Sequence, residues 1–265
     1  MSESDPEVDS DGAESRLFEA VVDAEAIQTT VELVDAVVDE CHVYFDDDGV
    51  RIPAMDPATV AAVDLRLESD AFEAYEASDA HVGVDVSRLG DIVGMADRDQ
   101  LVRFALDAET RALEIRIGEL AYTLALLDPD TVRSPPDRAN FKFEFAGGIT
   151  ADAEDIRRTV RAADMVSDHV TFGIDEAEAA FYVEAEGDTD DVSLALPADD
   201  LVEFRPGEAR SLFSIDYLKA IEGAMPRDLE LDLRLGTELP LAVRYAFAGG
   251  AGSVEYLVSP RIAAN

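Results

Sequence analysis

Apolar residues recur along this chain with two different periods. Ile27, Val31, Val34 and Val38 stand three or four positions apart, which puts their side chains on one face of an α-helix and predicts one near residues 24–39. The same spacing over Ile156, Val160 and Ala163 predicts a helix near 152–164. Leu89, Ile92, Val93 and Ala96 predict one near 87–97, and Ile215, Leu218, Ile221 and Met225 one near 214–225. Between them lie runs with period-two alternation or β-branched bias: "HVYF", "AAVDLRL", "LVRFAL", "ALEIRI", "AYTLALL", "AAFYVEA", "DVSLAL", "LELDLRL", "LAVRYAF" and "SVEYLVS". Such runs read as strands. The expectation is an α+β chain, mostly strand, with one face of each short helix packed on sheet.

The pattern occurs twice. "ECHVYF" at 40–45 answers "SDHVTF" at 167–172, placing His42 over His169, and "VDVSRLGDIVGMA" at 84–96 answers "FSIDYLKAIEGAM" at 213–225, placing Leu89 over Leu218 and Ile92 over Ile221. A nearly constant offset over so long a span means a duplicated domain. Between the copies, "DPDTVRSPPDRAN" at 128–140 carries Pro129, Pro135 and Pro136, which exclude a regular helix or a central strand. The reading is therefore a domain at 16–127, a connecting linker at 128–140 and a second domain at 141–262. Residues 1–15, acidic and without apolar period, are expected to be a disordered tail, and 263–265 a short one.

Charge changes the picture of the surface. The 265 residues hold 59 acidic and 21 basic side chains, a net charge of -38, yet 48% of them are hydrophobic. Disordered acidic chains lack that apolar fraction. Self-repulsion of such a surface is screened over about 3 Å in molar salt, against about 8 to 10 Å at ordinary ionic strength. The acidity therefore points to a salt-rich cytoplasm rather than to a substrate. One cysteine, Cys41, excludes an intramolecular disulfide. No apolar run approaches a membrane span, and the N-terminus lacks signal-peptide regions.

Candidate chemistry is sparse. His42, His81 and His169 show no metal-ligand spacing, and no phosphate-binding loop, dinucleotide fingerprint or nucleophile elbow is present. Asp46, Asp47 and Asp48 lack the alternating ligands of a calcium loop and read, with Gly49, as a hydrated hairpin turn. The scarce bases are more telling. Arg157, Arg158 and Arg161 are expected on the polar face of one helix, and Lys219 on that of another. They are candidates for phosphate contact, against the alternative, for the arginines, of pairing with local acids such as Asp152, Glu154 and Asp155.

Several separate motifs, in order, resemble the sliding clamps of the proliferating cell nuclear antigen family: "GVRIPAMDPATVAAVDLRL" at 49–67, "YTLALLDPD" at 122–130, "AEGDTDDVSLALP" at 185–197, "SLFSIDYLKAI" at 211–221 and "YLVSPRI" at 256–262. The resemblance covers about residues 17–262. It implies a DNA-clamp fold of two similar domains, antiparallel sheets outside and two helices inside each, and a homotrimeric ring around duplex DNA. It implies a non-enzymatic processivity factor, without cofactor or metal, that binds polymerase, clamp loader, flap endonuclease and ligase through their PIP-box peptides. The alternatives are a specialised paralogue in a heterotrimer, or a salt-adapted hydrolase using paired carboxylates.

The resemblance also distributes roles. Arg157, Arg158, Arg161 and Lys219 would face the phosphate backbone, although Glu25, Glu32, Asp35, Asp39 and Asp91 on the first domain's helices depart from the family's basic pattern. DNA contact is therefore expected to be weak and lopsided. The peptide groove would be walled by Met55, Thr59, Val60, Leu127, Asp128, Pro129, Pro240, Leu257, Val258, Ser259 and Pro260. Ring closure would pair the strand carrying Ala112, Leu113, Ile115 and Ile117 with the strand carrying Phe181, Tyr182 and Val183 of the next subunit.

Overall fold

A computed structural model describes residues 16–107, 110–135 and 142–261. The tails at 1–15 and 263–265, and linker residues 136–140, lie outside the described residues.

The first half runs β1 (Arg16–Asp23), α1 (Ala24–Asp35), β2 (Glu40–Asp46), β3 (Gly49–Met55), β4 (Ala61–Glu68), β5 (Phe72–Ala77), β6 (Ala80–Asp85), α2 (Val86–Val93), β7 (Leu101–Asp107), β8 (Ala112–Ile117) and β9 (Leu120–Ala125). The second repeats that order as β10 (Gly147–Asp152), α3 (Ala153–Ala163), β11 (His169–Asp175), β12 (Ala180–Glu186), β13 (Asp191–Pro197), β14 (Glu203–Arg205), β15 (Ala209–Ser214), α4 (Ile215–Ala224), β16 (Glu230–Leu235), β17 (Leu241–Phe247) and β18 (Gly252–Val258). Helices α1 and α2 stop a few residues short of the apolar period, α2 at Gly94, though Val38 and Ala96 beyond them stay buried.

All strand pairs are antiparallel, and each pairing of the first half has its counterpart in the second. One contact has none inside the chain. Strand β18 pairs along β4 from Gly252↔Leu67 to Val258↔Ala61 and so fuses sheets of both halves into one of nine strands, β14-β10-β16-β17-β18-β4-β3-β2-β6. A five-stranded sheet, β5-β1-β7-β8-β9, and a four-stranded sheet, β13-β12-β11-β15, flank it. The helices contact one another in the row α2–α1–α4–α3. Leu33, Leu65, Ile92, Phe172, Phe213 and Tyr256 lie in a single core that runs through both halves.

This topology corrects the expected interface strands. Strand β8 is paired on both sides, by β7 and β9, and β12 by β11 and β13. Leu113, Ile115, Ile117, Phe181 and Val183 are core residues, while Ala112 and Tyr182 are only half-exposed within those inner strands. Among the described residues, the next strands outward, β9 and β13, end their sheets, and these are the counterparts of β18 and β4.

The aspartate run does form the β2–β3 turn. Asp46 Oδ1 accepts from the backbone N–H of Asp48 at 2.9 Å and of Gly49 at 3.1 Å, so that carboxylate is engaged by its own turn. Gly49 sits at φ 141°, which a side chain would strain. Cys41 is buried in β2, and desolvation pushes its thiol up to about 12, which leaves it unreactive.

Candidate functional site

Two surfaces gather the side chains singled out by sequence. The first crosses the junction of the halves. Met55 pairs with Ala62, Ala62 with Leu257 and Leu257 with Ala242. Met55 and Leu257 are half-exposed, with the small, buried Ala62 and Ala242 set between and beside them. Alternating large and small residues in one cross-strand row are the pattern of a shallow apolar groove. Thr59 is exposed and Val60 half-exposed at its lip, Ser259 N–H donates to the Val60 carbonyl at 2.7 Å, and Pro240 and Pro260 flank the same strand ends. Val258, by contrast, is fully buried and offers no surface. It alternates with Leu257 and faces the core, which removes it from the groove wall.

The linker reaches this groove from the other side. Leu127 bridges to Gly83 on β6, its N–H donating to the Gly83 carbonyl at 2.9 Å. A Cβ on Gly83 would stand 2.8 Å from Val132 Cγ2, so glycine is needed for the linker to lie this close. Asp128 accepts from the Asp130 and Thr131 N–H groups and turns the chain, with Pro129 inside that turn. His42, buried in β2, contacts the Val132 carbonyl at 3.3 Å and His81 at 2.6 Å, and Tyr44 stacks on His81. Burial and the adjacent His42 lower the His81 pKa, and Asp130 opposes them. Arg133 then donates to the Pro57 carbonyl at 2.7 Å. Asp56, His42, Tyr217 and Arg133 were absent from the expected set; of these, only Asp56 carries a signal in the sequence, the turn-forming Asp-Pro pair.

The second surface is the helical row. Arg158, Arg161 and Lys219 are exposed, but each holds an acid: Asp155 at 2.6 Å, Glu222 at 2.8 Å and Asp164 at 2.8 Å. Arg158 thus stands as the pairing alternative expects, on Asp155, whereas Arg161 and Lys219 hold acids outside the expected set. Arg157 is a correction. It is 6% exposed and lies under the helix, bonded to Glu154 at 3.2 Å, Glu222 at 3.0 Å and the carbonyls of Met225 and Pro226. A buried charge must be paired and hydrogen-bonded, and these contacts do that between α3 and the end of α4. It cannot reach a phosphate. On α1 and α2, Glu32, Asp35 and Asp91 line the groove between the helices. No cluster of metal-ligating side chains occurs among the described residues.

The sequence pattern of the proliferating cell nuclear antigen N-terminal domain matches residues 15–120. The chain is 50% identical over 246 residues to the DNA polymerase sliding clamp of Haloarcula marismortui, covering 93% of this chain and 99% of that protein. It is 49% identical over the same length to that of Natronomonas pharaonis, with the same coverage. Among solved structures, the PCNA of A. fulgidus bound to the C-terminal region of FEN-1 superposes with a TM-score of 0.88 at 32% identity, over 94% of this chain and 100% of that one.

Proposed function

Because the chain belongs to the proliferating cell nuclear antigen family, we propose that it is a DNA sliding clamp, which closes with two further copies into a ring around duplex DNA and tethers replication and repair proteins at the groove beside Met55. The observation that carries this reading is the pair of open edges. Inside the chain β18 and β4 join the halves, while their counterparts β9 and β13 stand open. Pairing β9 of one copy with β13 of the next in the same way covers both edges and continues the helical row around an inner wall. Half-exposed Val192, Leu194 and Leu196 on β13 supply the apolar side of that joint.

The inner wall then holds DNA by enclosure more than by affinity. Arg158, Arg161 and Lys219 are the bases available to phosphates, and each must first leave an acid. The pairs of Arg158 and Lys219 are open to solvent and worth about 0 to 1 kcal/mol, so they exchange readily, whereas Arg161 would leave the buried Glu222, which Arg157 also holds. Counterion release contributes little in molar salt, which favours topology over contact as the means of retention. Met55, Thr59, Val60, Leu127, Pro240, Leu257, Ser259 and Pro260 surround the peptide groove, with Asp128 and Pro129 on the linker beside it. The FEN-1 segment bound to the A. fulgidus clamp supports peptide tails as the partner class. The role assigned is processivity and recruitment rather than catalysis, in a salt-rich cytoplasm.

Light scattering in molar KCl tests the ring. The chain is expected at three times its monomer mass and Leu194→Asp, on the proposed joint, at monomer mass; trimers of both proteins would refute the β9–β13 closure.

A further inference from the structure

The turn between β3 and β4 is built around one carboxylate and is met by three other segments of the chain. Asp56 is 4% exposed. Its Oδ1 accepts from the backbone N–H of Val60 at 2.7 Å and of Ala61 at 2.8 Å, and its Oδ2 from the N–H of Ala58 at 3.0 Å and the Tyr217 hydroxyl at 2.9 Å. Among the described residues, no basic side chain pairs with it. A carboxylate out of water and without a counter-ion stands only where donors fill its lone pairs, and here four do.

Those bonds hold a shape that the backbone would not choose unaided. Thr59 sits at φ 61°, a left-handed conformation that β-branched residues avoid and that persists only where the surroundings over-determine it. The same turn receives Arg133 from the linker, at the Pro57 carbonyl, and Ser259 from the segment after β18, at the Val60 carbonyl. Tyr217 belongs to α4, in the other half of the chain, 161 positions away. Met55, Thr59 and Val60, three walls of the groove, are therefore set by a carboxylate that itself lies beneath the surface.

We propose that Asp56 and Tyr217 are positioning residues of the partner groove: Asp56 fixes the turn in the form that receives an apolar peptide anchor, and Tyr217 ties that form to helix α4. The proposal rests on the peptide-groove reading above. It makes the groove and the inner helical face two sides of one element, because α4 also presents Lys219.

Calorimetry of the full chain in molar KCl, with a synthetic peptide of the FEN-1 C-terminal region, tests it. Tyr217→Phe removes one bond and leaves the turn's own three; it is expected to bind the peptide about fivefold to tenfold more weakly, at unchanged trimer mass and with a small fall in the unfolding midpoint. Asp56→Asn, which turns an amide donor toward donors that the carboxylate accepts from, is expected to lose more. A double-mutant cycle of Tyr217→Phe with Met55→Ala is expected to be non-additive, as for residues that share a site. Unchanged affinity in Tyr217→Phe, or strictly additive losses, would overturn the inference and leave the groove in place. A wild-type chain that does not bind the peptide would overturn the groove and this inference together.

Discussion

Arg157 and Arg158 follow one another on α3, yet only Arg158 reaches solvent, with 69% of its side chain exposed against 7%. Ala153, Ile156, Arg157 and Val160 stand at i, i+3, i+4 and i+7, the buried stripe of a surface helix. The position of Arg157 was thus legible from spacing, and its charge argued the other way. What spacing could not show was Glu222, 65 positions on, which makes burial of a guanidinium tolerable. Two different outcomes follow. Arg157→Ala leaves Glu222 underpaired at a helix contact and is expected to cost about 3 kcal/mol; Arg158→Ala, at an exposed pair, is expected to cost under about 1 kcal/mol. Denaturant unfolding in molar salt measures both, and equal small losses would show that Arg157 is not structural.

Strands and helices differ in how far their sequence determines them. Each of the ten alternating runs became a strand, because alternation states which face is buried. It does not state which strand of a hairpin is outermost. Strands β8 and β9, like β12 and β13, carry similar runs, so the interface was assigned one strand too far inward; only the pairing of β18 with β4 identifies β9 and β13 as the edges. Strand β6 was not recognised, since Gly83 interrupts its pattern to admit the linker. The linker, in its described part as far as Arg133, is accordingly a seated strap, held by Gly83, His42 and Arg133. Folding holds the His81 pKa below its ordinary value of 6.5, so the neutral ring is the form that the native state favours. Relative to His81→Gln, the wild type is expected to lose stability as pH falls below 6.5, by a small amount because the ring is exposed. Identical pH profiles of the two unfolding midpoints would remove His81 from the strap.

For the whole molecule, charge is the governing term. A net charge of -38 on 265 residues opposes both the compact chain and the approach of a second copy. Screening at molar salt reduces this, and the buried core then suffices. The trimer is expected to dissociate, and the unfolding midpoint to fall, as KCl is lowered toward 0.1 M; light scattering that shows a stable trimer there would contradict the reading of the surface. The duplication and the family motifs were legible in the sequence; the fusion of the two halves through β18 and β4 was not, because it depends on contacts nearly 200 positions apart. Such a ring is retained on DNA by topology. The most direct measurement loads the clamp onto nicked circular DNA with its clamp loader, then cuts the circle. Clamps are expected to remain on the intact circle through a salt wash and to leave when ends appear; equal retention on circular and linear DNA would rule out retention by topology.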